Sequence, residues 1–236
     1  MAAISAVENK TTPLSRDTLK AQRRRELIES TMESIAKCGF SETTLAKVAK
    51  GAGLSRGLVN FHFQSKDALL IETLQYISRE YRNHWQRALE ASPDDAVAQL
   101  VAIFRADFDP YICNPRNIAV WFAFWGEAKS RPVYSELCGG RDDERNLQTL
   151  RLCETIIEAG EYDLPTKQIA RGLESTAEGL WQSLLMPHRV FDRTFALDTM
   201  HRYLSLTFPR HIAPDGSVVT PVQSPETDKV QDNKKR

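Results

Sequence analysis

Apolar residues along this chain recur every three or four positions and never alternate for long, so the pattern predicts helices throughout. The first stripe is Leu27, Ile28, Met32, Ile35 and Ala36, which places a helix over about residues 18–37, with Gly39 suited to its C-terminal cap. Thr44 or Thr43 can cap a short second helix over residues 45–50, whose inner face is Leu45, Val48 and Ala49. The turn "GAGL" follows, and Ser55 can cap an equally short third helix. Ser65 opens a long fourth helix, with Asp67 near the positive end of its dipole and a stripe of Leu70, Leu74, Ile77, Tyr81 and Trp85.

The later pattern is helical too. "SPDD", residues 92–95, reads as a start with Ser92 as cap, followed by Val97, Leu100, Val101, Phe104 and Phe108. Asn114-Pro115 interrupts. "NIAVWFAFWGEAKS" is apolar nearly all round, as a central helix would be. Further helices are predicted over about residues 133–159, with Gly139-Gly140 a weak point, then 166–186 and 192–208. From His211 onward three prolines, no aromatic residue and many polar ones predict a disordered tail. The expected class is all-α. Its divisions are a flexible arm (1–17), a three-helix DNA-binding domain (18–66, helix-turn-helix about 44–63), a larger helical ligand-binding and dimerisation domain (67–210) and the tail (211–236). No internal repeat is visible.

Composition changes this picture little. With 236 residues, 42% of them hydrophobic, the chain can bury a core without staples. Cys38, Cys113, Cys138 and Cys153 form no C-x-x-C pair; two disulfides are conceivable, but a chain of this size without a secretory leader is expected to be reduced and cytoplasmic. "MAAISAVENKTTPLSRD" holds no sustained apolar stretch, so no signal peptide is expected, and the longest apolar run, residues 118–125, is too short to span a membrane. Charge does change the picture. The net charge is zero, yet residues 1–66 carry 11 Lys+Arg against 6 Asp+Glu, a surplus of five, and the remainder carries 20 against 25. A basic front end points towards a polyanion, although a solvated helix face has the same signature.

Two short helices joined by a glycine-containing turn form the helix-turn-helix pattern, whose second helix enters the DNA major groove. On a helical wheel Leu54, Leu58 and Val59 can face inward, while Arg56 and Asn60 share the outward face with Gly57 beside them. Arg and Asn suit paired hydrogen bonds with guanine and adenine edges. A glycine inside a helix costs about 1 kcal/mol against alanine, which makes sense if the backbone there must approach DNA closely. Thr44, Ser55 and Lys66 sit at three helix starts, where exposed amides and dipole ends favour phosphate. Phe61 and His62 are placed along the sugar–phosphate wall, and Phe63 in the small core.

These residues carry a resemblance. "TTLAKVAKGAGLSRGLVNFHFQSKDALL", residues 43–70, closely resembles the DNA-binding signature of the TetR family of bacterial transcriptional regulators. The matching positions are Thr44, Ala49, Ala52, Gly53, Leu54, Ser55, Gly57, Phe61, Phe63, Ser65 and Lys66. The resemblance implies a homodimer of nine-helix subunits that binds a palindromic double-stranded operator and releases it when a small effector fills the second domain. "WFAFWGEAKSRPVYSEL", residues 121–137, resembles the BetI-like, choline-responsive branch. Phe61-His62-Phe63 departs from that branch's His-Tyr-Phe, and Asn60 stands where many members have Tyr, so the operator sequence does not carry over.

For the effector, Phe104, Phe108, Trp121, Trp125, Tyr134 and Trp181 are candidate pocket residues, alongside Phe122 and Phe124; with Glu127 or Asp107 nearby they suit a quaternary ammonium such as choline. Aromatic residues at helical spacing are equally compatible with plain core. The resemblance places dimerisation on the last two helices, through Leu173, Leu180, Leu184, Met200, Tyr203 and Leu204, for which burial within one subunit is the alternative. The leading expectation is therefore a ligand-responsive repressor. An activator, a repressor answering an unrelated apolar effector, and a helical module docking an acidic protein remain open. No catalytic residue, cofactor or metal site is expected, since the five histidines show no ligand spacing with the cysteines and no nucleotide or hydrolase motif occurs.

Overall fold

Most helix starts in this chain carry a side chain that closes onto the first turn. In the computed structural model, which describes residues 15–186, 190 and 192–219, the N–H groups of Thr18, Lys47, Leu58 and Ala68 donate to the hydroxyls of Ser15, Thr44, Ser55 and Ser65 at 3.0–3.2 Å. Those of Ala98, Asn117 and Phe195 donate to Asp95, Asn114 and Asp192. Each such cap contributes about 1 kcal/mol. Nine helices follow among the described residues: α1 (Arg16–Glu42), α2 (Leu45–Gly51), α3 (Arg56–His62), α4 (Lys66–Glu90), α5 (Ala96–Asp107), α6 (Pro115–Ala128), α7 (Pro132–Ala159), α8 (Thr166–Leu185) and α9 (Arg193–Thr207). The fold is all-α, as the periodicity predicts.

The chain divides into two compact units, up to Asn83 with Asn114–Asp142, and His84–Cys113 with Asp143 onward. This is not the expected division after residue 66. In the first unit α6 packs on α1: Arg116 bonds Glu29 at 2.8 Å, and the Phe124 ring meets Phe40 edge-on at 5.6 Å. Local periodicity cannot register such a contact between distant segments; what it marks near residue 66 is the change from short helices to long ones. The core of this unit joins Leu27, Ile28, Met32 and Ile35 of α1 to Val48 and Val59 and to Leu70 and Leu74 of α4. Burying each of these side chains stabilises the fold by about 1.5–3 kcal/mol.

The second unit is built on Leu100 and Phe104 of α5, Leu152 and Ile156 of α7, Leu173 and Trp181 of α8, and Met200 and Leu204 of α9. Three local expectations change. Ser92 does not cap α5; its hydroxyl donates to the Ala88 carbonyl of the preceding helix, and Asp95 takes the role. Arg16 and Asp17, expected in the arm, begin α1. The tail does not begin at His211: Ile212 is fully buried and bridges to Val218, and Arg210 donates to the Gly160 carbonyl. One proline and a few polar residues over 211–219 do not override one well-placed apolar anchor. Residues 1–14 of the expected arm and 220–236 of the expected tail lie outside the described residues.

Candidate nucleic-acid interface

The direction of α3 is set from both ends. Before it, Gly53 adopts φ 65°, a conformation side chains disfavour, and the Leu54 N–H returns to the Ala49 carbonyl at 2.9 Å. After it, Arg24 of α1 donates to the His62 carbonyl at 2.6 Å, forks onto the Glu72 carboxylate of α4, and lies 4.4 Å from the centre of the Phe63 ring. A guanidinium on a helix's last carbonyls also suits the negative end of its dipole. Val59 and Phe63 are buried, while Leu54 and Leu58 are half-buried.

What α3 turns outward is one arc. On a 3.6-residue wheel Arg56 and Asn60 form one flank, Phe61 the other, and Gly57 lies between them. All four are exposed, Phe61 at 74% of its surface. A Cβ placed on Gly57 would meet only the Ser55 hydroxyl, at 3.9 Å, so nothing inside the protein requires a glycine there. Thr44 and Ser55 are also exposed; each hydroxyl accepts from its own helix and keeps its proton to donate outward.

Two predicted contacts come out differently. His62 is only 9% exposed, because it follows Val59 by three positions and shares its inward face. Burial first, then the positive Arg24, Lys20 and Arg23, hold its imidazole below the ordinary histidine value, so it is a neutral core group and not part of a phosphate wall. Lys66 is half-buried, and its ammonium lies 3.4 Å from the Phe40 carbonyl and 5.8 Å from the Phe40 ring centre. The fork of Arg24 and Glu72 escaped the sequence reading. The partners are 48 positions apart, and only the run Arg23–Arg25 beside an apolar stripe hinted at it.

The predicted effector residues are divided between the two units. Trp121, Trp125 and Tyr134 belong to the first unit, Phe104, Phe108 and Trp181 to the second; all are buried except Trp125, which is half-buried. The two carboxylates proposed to face a cation already have arginine partners. In the second unit Arg145 joins Asp107 to Glu174 and lies 5.1 Å from the Phe104 ring centre, while Thr149 donates to Glu174 at 2.5 Å and the Trp181 indole to the Asp107 carbonyl at 3.0 Å. In the first unit Arg131 pairs with Asp67 at 3.0 Å and Glu127 at 3.5 Å, over the rings of Tyr134 and Phe40 at 5.5 and 5.7 Å. Each guanidinium occupies the aromatic-and-carboxylate position envisaged for a ligand.

The predicted dimer residues divide as well. Leu173, Met200 and Leu204 are buried within their own unit, because Ala196, Met200 and Leu204 recur at four-residue spacing on the inner face of α9. They therefore cannot form an exposed contact face. Leu180 and Leu184 are half-buried and Tyr203 is exposed. The apolar residues that α9 turns outward are Tyr203 with Phe195 and Leu206, exposed at 67% and 70%. This second stripe was readable in the sequence once the first had been assigned inward.

Among the described residues Cys38, Cys113 and Cys153 are free thiols, no group of three His, Cys, Asp or Glu residues is arranged to hold a metal ion, and no helix is long and apolar enough to cross a membrane. Residues 27–73 match the family model described as bacterial regulatory proteins, tetR family, and residues 96–209 the model described as BetI-type transcriptional repressor, C-terminal. The HTH-type transcriptional regulator BetI of Yersinia pestis (strain Pestoides F) is 30% identical over 186 residues, covering 77% of this chain and 90% of that protein. A putative transcriptional regulator from Pseudomonas aeruginosa PAO1 has a similar structure, with a TM-score of 0.69 at 24% identity, covering 86% of this chain and 96% of that one. A putative transcriptional regulator from Saccharomonospora viridis, solved in complex with choline, superposes with a TM-score of 0.69 at 19% identity, covering 78% and 96%.

Proposed function

The chain belongs to the tetR family of bacterial regulatory proteins, with a BetI-type C-terminal portion, and from that premise we propose how this DNA-binding transcriptional regulator reads its site and is switched. It acts as a repressor: a homodimer holds a palindromic operator and lets go when a small effector binds. The single observation carrying the reading is the exposed arc of Arg56, Asn60, Gly57 and Phe61 on a helix buttressed by Arg24. Arg56 takes a guanine edge and Asn60 an adenine edge, Gly57 admits the backbone to the groove, and the Thr44 and Ser55 hydroxyls hold phosphates.

One seven-residue helix reads too few base pairs to be selective, and a two-fold copy doubles the contacts and adds a spacing constraint. The exposed Phe195, Tyr203 and Leu206 of α9, with Leu180 and Leu184 of α8, supply an apolar face for that copy. For the effector, the reading of choline or a related quaternary ammonium is supported by the BetI relatives and by the aromatic content. A second reading, an uncharged apolar effector, is favoured by the pairing of Asp107 and Glu127 with Arg145 and Arg131.

Selection of genomic fragments with purified protein tests the core of this reading, and an enriched palindrome is the expected outcome. Arg56→Ala lowers affinity for that palindrome by about 1–3 kcal/mol and relaxes selectivity at one base pair. Uniform, salt-dependent binding to every duplex would falsify the repressor reading and leave a polyanion-docking module. Choline, betaine aldehyde and glycine betaine are then added to the complex; release by none of them removes the quaternary ammonium class.

A further inference from the structure

We infer that Phe61 is a specificity-determining residue that recognises the 5-methyl group of a thymine in the bound site. The inference rests on the proposed DNA contact of α3 and adds a base identity to it. Phe61 exposes 74% of its surface, the largest exposure of any described large apolar residue in the first unit, and the exposed residues near it in sequence are Arg56, Gly57, Asn60 and Gln64. Among the described residues of α3 it is the one apolar side chain that is exposed, which is less than a protein partner's broad apolar interface needs. The target it suits is small and apolar.

The ring is also held in place. Its edge packs on His62, with centroids 5.3 Å apart and planes at 83°, and His62 itself is buried, its carbonyl fixed by Arg24. A ring with one such contact loses less rotational freedom on binding than an unsupported one, which favours a defined contact. Phe61 has no hydroxyl to donate to a phosphate, so hydrogen bonding to the backbone is not open to it. In the major groove the one apolar group on a base-pair edge is the thymine methyl, and phenylalanine is among the side chains that contact it. Gly57 supplies the remaining condition, because with no side chain beside the ring the helix can come near enough for a methyl contact.

The test uses the full chain and the duplex it enriches, with single thymines replaced by uracil, which removes only the methyl. At one thymine per half-site the wild-type chain loses about three- to five-fold in affinity, the worth of one buried methyl-sized group. Phe61→Ala binds the thymine duplex more weakly and no longer distinguishes it from the uracil duplex. Phe61→Leu keeps part of the discrimination. Because Phe61 is exposed, the melting temperatures of the variants stay at the wild-type value. Wild-type indifference to every uracil replacement overturns the inference while leaving the DNA-binding reading standing. So does a Phe61→Ala chain that loses thymine and uracil duplexes equally, which would mark packing against sugar. A chain that prefers no duplex at all overturns both.

Discussion

Two arginines in this protein make the same chemical arrangement in different surroundings. Arg131 in the first unit and Arg145 in the second each bridge two carboxylates and lie over aromatic rings. Arg145, Asp107 and Glu174 have side chains no more than 6% exposed, whereas those of Arg131 and Asp67 are 39% and 65% exposed. In the buried cluster all three charges have left water, so each depends on the others for its compensation. In the exposed cluster water stands in for any partner that leaves, and salt screens the attraction. The buried cluster ties α5, α7 and α8 together in one arrangement. The exposed one joins the start of α4 to the α6–α7 corner with a contact that can open at small cost.

The contrast is broken most directly at Arg145. Arg145→Ala strands two buried carboxylates and destabilises the fold by about 3–5 kcal/mol in urea denaturation. Replacing Arg145, Asp107 and Glu174 together by Met and Leu recovers most of that loss, since an apolar set of similar volume leaves no charge uncompensated; failure to recover would show that specific hydrogen bonds, such as that of Thr149, matter more than charge. Gly57→Ala acts in the opposite sense. It adds about 1 kcal/mol of stability at an exposed helix position, measurable as a raised melting temperature, and weakens selective DNA binding. A variant that gains stability and binds as before would remove the close-approach account of Gly57.

Arg131→Ala costs at most about 1 kcal/mol, and the cost shrinks between low and high salt; a loss near that of Arg145→Ala would abolish the distinction between the clusters. The smallest effect is expected from pH. His62 is held neutral by burial and then by Arg24, Lys20 and Arg23; His201 by burial and then Arg105, with Asp198 and Asp215 opposing. Both lie below the ordinary histidine value of about 6.5, so below that pH the unfolded chain binds protons the folded chain refuses. Stability is therefore level above about pH 6.5 and declines as the pH falls further, which melts between pH 7.5 and 5 would follow. In a His62→Gln, His201→Gln chain that decline is shallower.

Local sequence determined the helices, their caps and the identity of the exposed arc, because periodicity, capping hydroxyls and a four-residue spacing are properties of neighbouring positions. Thr44, Ser55, Arg56 and Asn60 were all legible in that way, and so was the all-α class. Tertiary structure decided which apolar stripe of α9 is spent inside, which face of α3 turns inward with His62 while Phe61 stays out, and that Asp107 is already engaged by Arg145. Each of those outcomes depends on a partner dozens of residues away. Arg24 meets Glu72 and Arg145 meets Asp107 only after the chain has folded, and no local pattern encodes which distant carboxylate a guanidinium will find.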